Sequence, residues 1–187
     1  MFIHEMFQQK PCVFSVEVFP PKKAGAAEET LYPVLRELCT LGPDYISVTY
    51  GAGGGTAGQS TAKIASYIKN GLHVEALAHL TCVNSTRVQV EETLTRLRED
   101  NVENVLALRG DINPDLPRRM DFLHASDLAK AIAQTGGFGV AGACYPEGHV
   151  ESPSLKADVE SLRYKAEAGV SHLITQLFFD NVSYYRF

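Results

Sequence analysis

The segment FSVEVFPPK at residues 14–22 carries the alternation that decides the fold. It lies in an apolar, β-branched stretch, residues 12–19, which predicts a β-strand, and the two prolines end the strand because proline lacks the N–H that a sheet needs. Successive side chains of a strand point to opposite faces. Ser15 and Glu17 therefore share one face, and the two valines share the other. The predicted strand has one apolar face and one face that ends in a carboxylate.

Five further strand-like segments follow the first, with helix-like segments between them. The predicted strands cover residues 12–19, 45–50, 74–82, 104–108, 138–144 and 171–178. Between them, apolar residues recur at helical spacing, as in a predicted helix over about residues 60–70. Residues that favour helix N-caps stand where helices should begin: Thr86, Ser126, Ser154 and Asp180. Strands joined by helical crossovers run parallel, because each crossover returns the chain to the same end of the sheet.

Two α/β folds contain such a sheet, the doubly wound sheet and the TIM (β/α)8 barrel. Each predicted strand ends in a polar residue that shares a face with the residue two positions earlier, as Ser47 does with Thr49 and Ala107 with Arg109. A doubly wound sheet is covered by helices on both faces. A barrel instead has one lumen, packed below and functional at its top. The pattern favours the barrel.

The residues at the strand ends recur at a nearly constant interval of 30 to 36 positions: Glu17, Thr49, His79, Arg109, Tyr145 and Gln176. A complete barrel has about 250 residues and eight β–α units. We therefore expect residues 1–187 to form a single domain, an incomplete barrel with six units that lacks the last two. Such a barrel exposes two sheet edges.

Composition narrows the class of protein. Among 187 residues there are 17 Lys and Arg and 22 Asp and Glu, for a net charge of −5. The acidic balance argues against nucleic-acid binding, and the lack of an apolar stretch of about 18 residues argues against a membrane span. The four cysteines are far apart and no cluster of metal ligands is evident, so we expect no metal site. The first ten residues do not resemble a signal peptide, and we expect a cytoplasmic protein.

Glu17 is the strongest candidate for proton transfer. Its neighbours in the strand are apolar, and burial favours the protonated form of a carboxyl group, as a general acid requires. A structural ion pair with Arg109 is the alternative. Arg109 can also hold a phosphate or carboxylate with both arms of its guanidinium, and Gly110 leaves room for a ligand beside the backbone. Tyr145 and His149 can contact a flat heteroaromatic ligand at the mouth of the barrel.

Residues 53–58, GGGTAG, formally fit the dinucleotide-binding pattern G-x-G-x-x-G. In a Rossmann dehydrogenase an acidic residue ends the next strand, about 20 residues further on. Here the next strand ends with His79 and Thr81, and its only carboxylate, Glu75, lies at its start. We therefore favour a turn that keeps bulk away from a bound ligand, with the Rossmann dehydrogenase as the alternative.

Seven segments, in order across nearly the whole chain, together resemble the methylenetetrahydrofolate reductase family. They are FSVEVFPPK at 14–22, ISVTYGAGG at 46–54, AHLTC at 78–82, ALRGD at 107–111, HASDL at 124–128, YPEGH at 145–149 and ITQLFFD at 174–180. The resemblance implies a flavin-dependent (β/α)8 barrel that reduces 5,10-methylenetetrahydrofolate to 5-methyltetrahydrofolate, with FAD as cofactor and NAD(P)H as electron donor. It also implies a small-molecule folate substrate and a homo-oligomer.

The resemblance further implies residue roles. Glu17 and Asp111 would be catalytic, and Thr49, Asp111 and Gln176 would bind the folate. The FAD-binding residues would be Thr49, Tyr50, Ala52, His79, Arg109, Gly110, Asp111, His124, Ala125, Tyr145, His149, Asp158 and Lys165. Because two units of the barrel are missing from these 187 residues, a truncated, non-catalytic fragment that binds flavin or a partner is the alternative.

Overall fold

A computed structural model describes residues 1–23, 25–50, 57–112 and 119–187. Six parallel strands form one sheet, in the order of the sequence. The strands are β1 (Ser15–Val18), β2 (Tyr45–Val48), β3 (Glu75–Thr81), β4 (Asn104–Leu108), β5 (Gly139–Cys144) and β6 (His172–Thr175). The helices are α1 (Ile3–Gln9), α2 (Ala27–Cys39), α3 (Ala57–Ser66), α4 (Arg87–Glu99), α5 (Ala125–Thr135), α6 (Leu155–Glu167) and α7 (Asn181–Arg186).

The strictly sequential strand order distinguishes this sheet from a doubly wound one. In a doubly wound sheet the order reverses at a switch point, which sends helices to both faces. Here every strand pairs with the next along the chain, from Ser15 opposite Tyr45 to Cys144 opposite Thr175. The sheet is a half-barrel of six parallel strands, with β1 and β6 at its edges. This arrangement is compatible with an incomplete TIM-like barrel.

The outer face of the sheet packs against the helices. A single buried cluster joins alternate strand residues, such as Ile46, Ala78 and Val105, to helix residues such as Leu94 and Ile132. This alternation is the period-2 pattern of the strands meeting the period-3.6 pattern of the helices. The outer layer holds most of the buried apolar side chains and fixes the strands in position.

The inner face packs against α1, which closes the lower end of the half-barrel. Ile3 and Met6 of α1 are buried with Leu77 and Leu106 in a second cluster. The Asn104 side chain ties the helix to β4, because its Oδ1 accepts the Ile3 N–H at 2.9 Å. The residue pattern predicts no helix in the first ten residues. A seven-residue amphipathic segment has too little periodicity to stand out.

The side chains of β4 face the opposite way from the prediction. We expected Ala107 and Arg109 on the inner face, but Ala107 belongs to the cluster that packs against the helices. The inner residues of β4 are Leu106 and Leu108, which contact the cluster around α1. Arg109 lies beyond the end of the strand. Both faces of β4 are apolar, so the alternation within this strand does not distinguish inside from outside.

Element boundaries match the predictions closely for β4 and less closely elsewhere. Predicted strand one is longer than β1, and the predicted last strand is longer than β6, because edge strands pair on one side only. Thr86, Ser154 and Asp180 are helix N-caps, as expected. Ser126 is not; His124 is the N-cap of α5. The predicted helix over residues 60–70 is α3 followed by a π-helical turn, Tyr67–Gly71.

Candidate functional site

A cleft of about 1590 Å³ opens at the carboxyl ends of the strands and extends between α4, α5 and α6. Parallel strands direct their carboxyl ends to the same side, which is where α/β folds bind ligands. Twelve residues selected from the sequence line this cleft: Thr49, Tyr50, His79, Arg109, Gly110, Asp111, His124, Ala125, Tyr145, His149, Asp158 and Lys165. Ala52 and the rest of the glycine segment up to Thr56 lie outside the described residues.

Glu17 and Gln176 are absent from the described lining of the cleft and sit at the two open edges of the sheet. Glu17 is on β1, and Gln176 directly follows β6, where its N–H donates to the Cys144 carbonyl at 2.8 Å. Their side chains are exposed. The two residues thus flank the side on which the half-barrel is open.

The carboxylate of Glu17 is held by two neighbours on the inner face. Its Oε2 accepts a hydrogen bond of 2.9 Å from the Ser47 hydroxyl and lies 3.4 Å from Nε2 of His79. The register of the parallel strands places Glu17 opposite Ser47, and Ser47 opposite Leu77 of β3. His79 follows Leu77 by two residues and therefore faces inward as well. The expectation that Glu17 is desolvated is wrong for this structure, since its side chain is 48% exposed at the sheet edge.

His79 is buried, and its Nε2 makes no hydrogen bond to any residue that the structure describes. Burial lowers the pKa of the imidazole, and the Glu17 carboxylate only partly offsets this. The ring is therefore neutral near pH 7, with one nitrogen available as donor or acceptor. Because His79 lines the cleft, a bound ligand would supply the hydrogen bond that this nitrogen lacks.

Arg109 pairs with Glu151 and not with Glu17. Its Nη1 and Nη2 donate to the two carboxylate oxygens of Glu151 at 2.5 and 2.7 Å, and its Nε donates to the Gly110 carbonyl at 3.2 Å. Hydrogen bonding to Glu151 raises the pKa of the guanidinium above its ordinary value. Glu151 is not predicted from the sequence as a site residue, because an acidic residue in a polar loop has no distinguishing pattern.

Gly110 lets the chain approach β3 closely at the edge of the cleft. Its φ is +85°, and a Cβ there would lie 3.0 Å from Cβ of Thr81 and 3.3 Å from Cγ1 of Val83. Only glycine adopts this backbone without strain and fits this space. The close approach brings the backbone that follows β4 over the strand ends, where Asp111 lines the cleft.

The wall made by β5 and α6 is aromatic and ionic. The rings of Tyr145 and His149 meet edge to face with centroids 4.7 Å apart. The His149 N–H donates to Asp158 at 3.0 Å, and Lys165 Nζ donates to the Ala143 carbonyl at 2.5 Å. Burial lowers the pKa of the Lys165 amine. Asp158 and Lys165 are two helical turns apart and so share a face of α6. That spacing was the signal by which the sequence could have identified them.

The N-terminus of α5 forms the opposite wall. His124 is its N-cap residue, and the Asp127 carboxylate accepts the His124 N–H at 2.9 Å. Ala125 and Ser126 follow and line the cleft. Small residues in a first helical turn leave its N–H groups accessible, and these favour anions.

Comparison with known proteins gives one consistent family. A model of the family described as methylenetetrahydrofolate reductase matches residues 2–187. The 5,10-methylenetetrahydrofolate reductase of Pectobacterium carotovorum subsp. carotovorum is 39% identical over 173 residues, which are 92% of this chain and 57% of that protein. The methylenetetrahydrofolate reductase (NADH) 1 of Arabidopsis thaliana is 34% identical over 200 residues, covering 99% of this chain and 33% of the plant protein.

A solved structure shares the fold at low identity. An uncharacterized protein from Clostridium thermocellum that binds two copies of 5-methyl-5,6,7,8-tetrahydrofolic acid superposes with a TM-score of 0.60 at 15% identity, over 97% of this chain and 59% of that one. The chain spans less than two thirds of each of these proteins. Because the family model covers nearly all of its residues, the chain belongs to the methylenetetrahydrofolate reductase family.

Proposed function

We propose that this protein reduces 5,10-methylenetetrahydrofolate to 5-methyltetrahydrofolate, with NAD(P)H as electron donor and FAD as cofactor. The family supports the reaction, and its relatives include a plant protein named for NADH. The observation that carries the proposal is the convergence of twelve sequence-selected residues on one cleft. We further propose that the half-barrel is the first part of a (β/α)8 barrel.

The described residues fit FAD in both charge and shape. Arg109 and Lys165 are cations on the cleft wall, and a diphosphate is an anion that such side chains bind. The Tyr145–His149 pair offers aromatic surface, and the buried Nε2 of His79 makes no hydrogen bond to a described residue. When bound, FAD supplies hydride transfer between NAD(P)H and the folate. The residues that would hold it are Thr49, Tyr50, Ala52, His79, Arg109, Gly110, Asp111, His124, Ala125, Tyr145, His149, Asp158 and Lys165.

Glu17 and Asp111 would carry the acid–base and electrostatic parts of the reaction. Protonated Glu17 would donate its proton to a ring nitrogen of methylenetetrahydrofolate, which opens the five-membered ring and leaves a cationic iminium carbon as the hydride acceptor. Ser47, donating to Glu17 at 2.9 Å, would hold the carboxyl in place. The Asp111 carboxylate would stabilise the developing cation. Thr49 and Gln176 would bind the folate.

The experiment that tests this proposal separates the two half-reactions. Purified protein should be yellow, NAD(P)H should bleach it, and methylenetetrahydrofolate should restore the colour. A Glu17→Gln variant should still be bleached but should not be reoxidised by the folate, because it has no proton to donate. Glu160→Gln, on the exposed side of α6, is the matched control and should do both. Full folate turnover by the Glu17→Gln variant would remove the proposed role.

A further inference from the structure

Arg109, which lines the cleft, has both of its Nη atoms bound to one carboxylate, that of Glu151. Both Nη atoms donate to Glu151, and Nε donates to the Gly110 carbonyl. A carboxylate bound through two parallel N–H···O bonds has the geometry with which arginine also binds a phosphate. Glu151 thus occupies the position at which an anionic ligand of Arg109 would bind.

We propose that Glu151 is a displaceable internal ligand of Arg109, which holds the guanidinium until a phosphate-bearing ligand takes its place. The inference rests on the proposed function in one respect only, since the diphosphate of FAD is the phosphate expected in this cleft. Glu151 would act on affinity through Arg109, and it is therefore a positioning residue and not a catalytic one.

The backbone around Glu151 is held by contacts that do not involve Arg109. Its backbone N–H donates to Nδ1 of His149 at 3.1 Å, and the Ser152 N–H donates to the His149 carbonyl at 2.9 Å. His149 is itself held by Asp158. The backbone is therefore fixed while the carboxylate, half exposed at 50%, borders on solvent. The two bonds to Arg109 can therefore break without loss of these backbone contacts.

Arg109 would keep its orientation after Glu151 has left. The bond from Nε to the Gly110 carbonyl does not involve Glu151, and Gly110 is fixed by its close packing against Thr81. The two Nη atoms would therefore remain directed at the same place, ready for two phosphate oxygens. A diphosphate carries more negative charge than the single carboxylate of Glu151, and this charge favours its binding to the same guanidinium.

The proposal is tested by ligand affinity, with two probes. FAD binding is measured by quenching of flavin fluorescence, and inorganic pyrophosphate binding by the NMR signal of the Arg109 side chain. Glu151→Gln removes the charge of the competitor but keeps its shape, and it should bind both probes about two- to five-fold more tightly, the range that corresponds to one partly exposed pair. Glu147→Gln, exposed on the same loop, is the matched control and should change neither affinity.

A double-mutant cycle shows whether the effect passes through Arg109. In the Arg109→Met background, where FAD binding is followed by flavin fluorescence, Glu151→Gln should give no gain in affinity. An equal gain in both backgrounds would mean a general effect of charge and would overturn the proposal, as would unchanged or weaker binding by the single variant Glu151→Gln.

The outcomes also separate this inference from the proposed function. FAD binding that does not respond to Glu151→Gln would overturn the inference and leave the function standing. Pyrophosphate binding that strengthens in Glu151→Gln, in a protein that takes up no FAD, would support the inference and overturn the flavin proposal. Absence of binding of either probe to any variant would overturn both.

Discussion

At the scale of single residues, His172 gives the protein a sensitivity to acid. Burial lowers the pKa of its imidazole to about 4, with a further contribution from the neighbouring His4, and the ring lies against Phe7. Its pKa in the unfolded chain is about 6.5. Between these values the unfolded state binds more protons than the folded state, so stability rises with pH and is lost as pH falls from about 6.5 towards 4.

We expect the free energy of unfolding to fall on the order of 1–3 kcal/mol between pH 7 and pH 4.5, and to fall less in a His172→Gln variant. The measurement is urea unfolding at pH 7 and pH 4.5, with the difference in free energy of unfolding compared between variants. His73→Asn is the control, because His73 is exposed and asparagine tolerates its positive φ of 57°. An identical acid loss in wild type and His172→Gln would contradict the assignment.

Gly110 provides a second prediction at this scale. Gly110→Ala should lower the free energy of unfolding by about 2–4 kcal/mol, because a positive φ costs about 1–2 kcal/mol and the close contact with Thr81 adds to it. Gly42→Ala isolates the first effect: its φ is +67°, and a Cβ there meets no described atom within 4 Å. Urea denaturation of both variants gives the comparison. Equal losses would show that the close approach to β3 contributes nothing.

At the scale of elements, α1 stabilises the sheet from within. Ile3 is fully buried against the inner residues of β2, β3 and β4, and its N–H is bound by Asn104. Among the described residues of this inner cluster, only α1 contributes side chains from a helix. The short helix therefore supplies the apolar surface that the lower lumen needs.

We expect Ile3→Ala to cost about 2–4 kcal/mol, the usual range for truncating a buried isoleucine. Val88→Ala on α4 is the control, since Val88 is exposed and its truncation should cost less than about 0.5 kcal/mol. Thermal and urea unfolding followed by circular dichroism measure both. A loss at Ile3 no larger than at Val88 would mean that α1 is not part of the folded core.

At the scale of the whole molecule, the open edge beside β6 carries exposed apolar side chains. Leu177 and Phe179 follow the strand, and Phe179 is 91% exposed. Unpaired edge strands and apolar patches of this kind promote association. No helix in the parts of the chain that the structure describes is long and apolar enough to cross a membrane.

The polypeptide of residues 1–187 should therefore associate in a concentration-dependent way. Replacing Leu177 and Phe179 by lysine should weaken association at least about tenfold, because each large apolar side chain contributes about 1.5–3 kcal/mol when buried. Leu41→Lys, exposed after α2 and away from β6, is the control. Sedimentation velocity over a range of concentrations measures the effect. Association that survives both lysines would place the contact elsewhere.

Some features of this protein follow from the sequence alone. The order of strands and helices, the caps at Thr86 and Ser154, and the inward position of Glu17 beside Ser47 were predictable, because periodicity, capping and parity are set by residues near in sequence. The positions of Arg109, Asp111 and Tyr145 at one cleft also followed, since parallel strands share one carboxyl end.

Other features depended on the tertiary structure. The inner face of β4 could not be read from a strand that is apolar on both sides, and only packing against α1 selects Leu106 over Ala107. The exposure of Glu17 depends on the position of β1 at the sheet edge, and the pairing of Arg109 depends on a loop 42 residues away. Burial and ion pairing are set by neighbours distant in sequence, and local pattern carries no information about which of them come together.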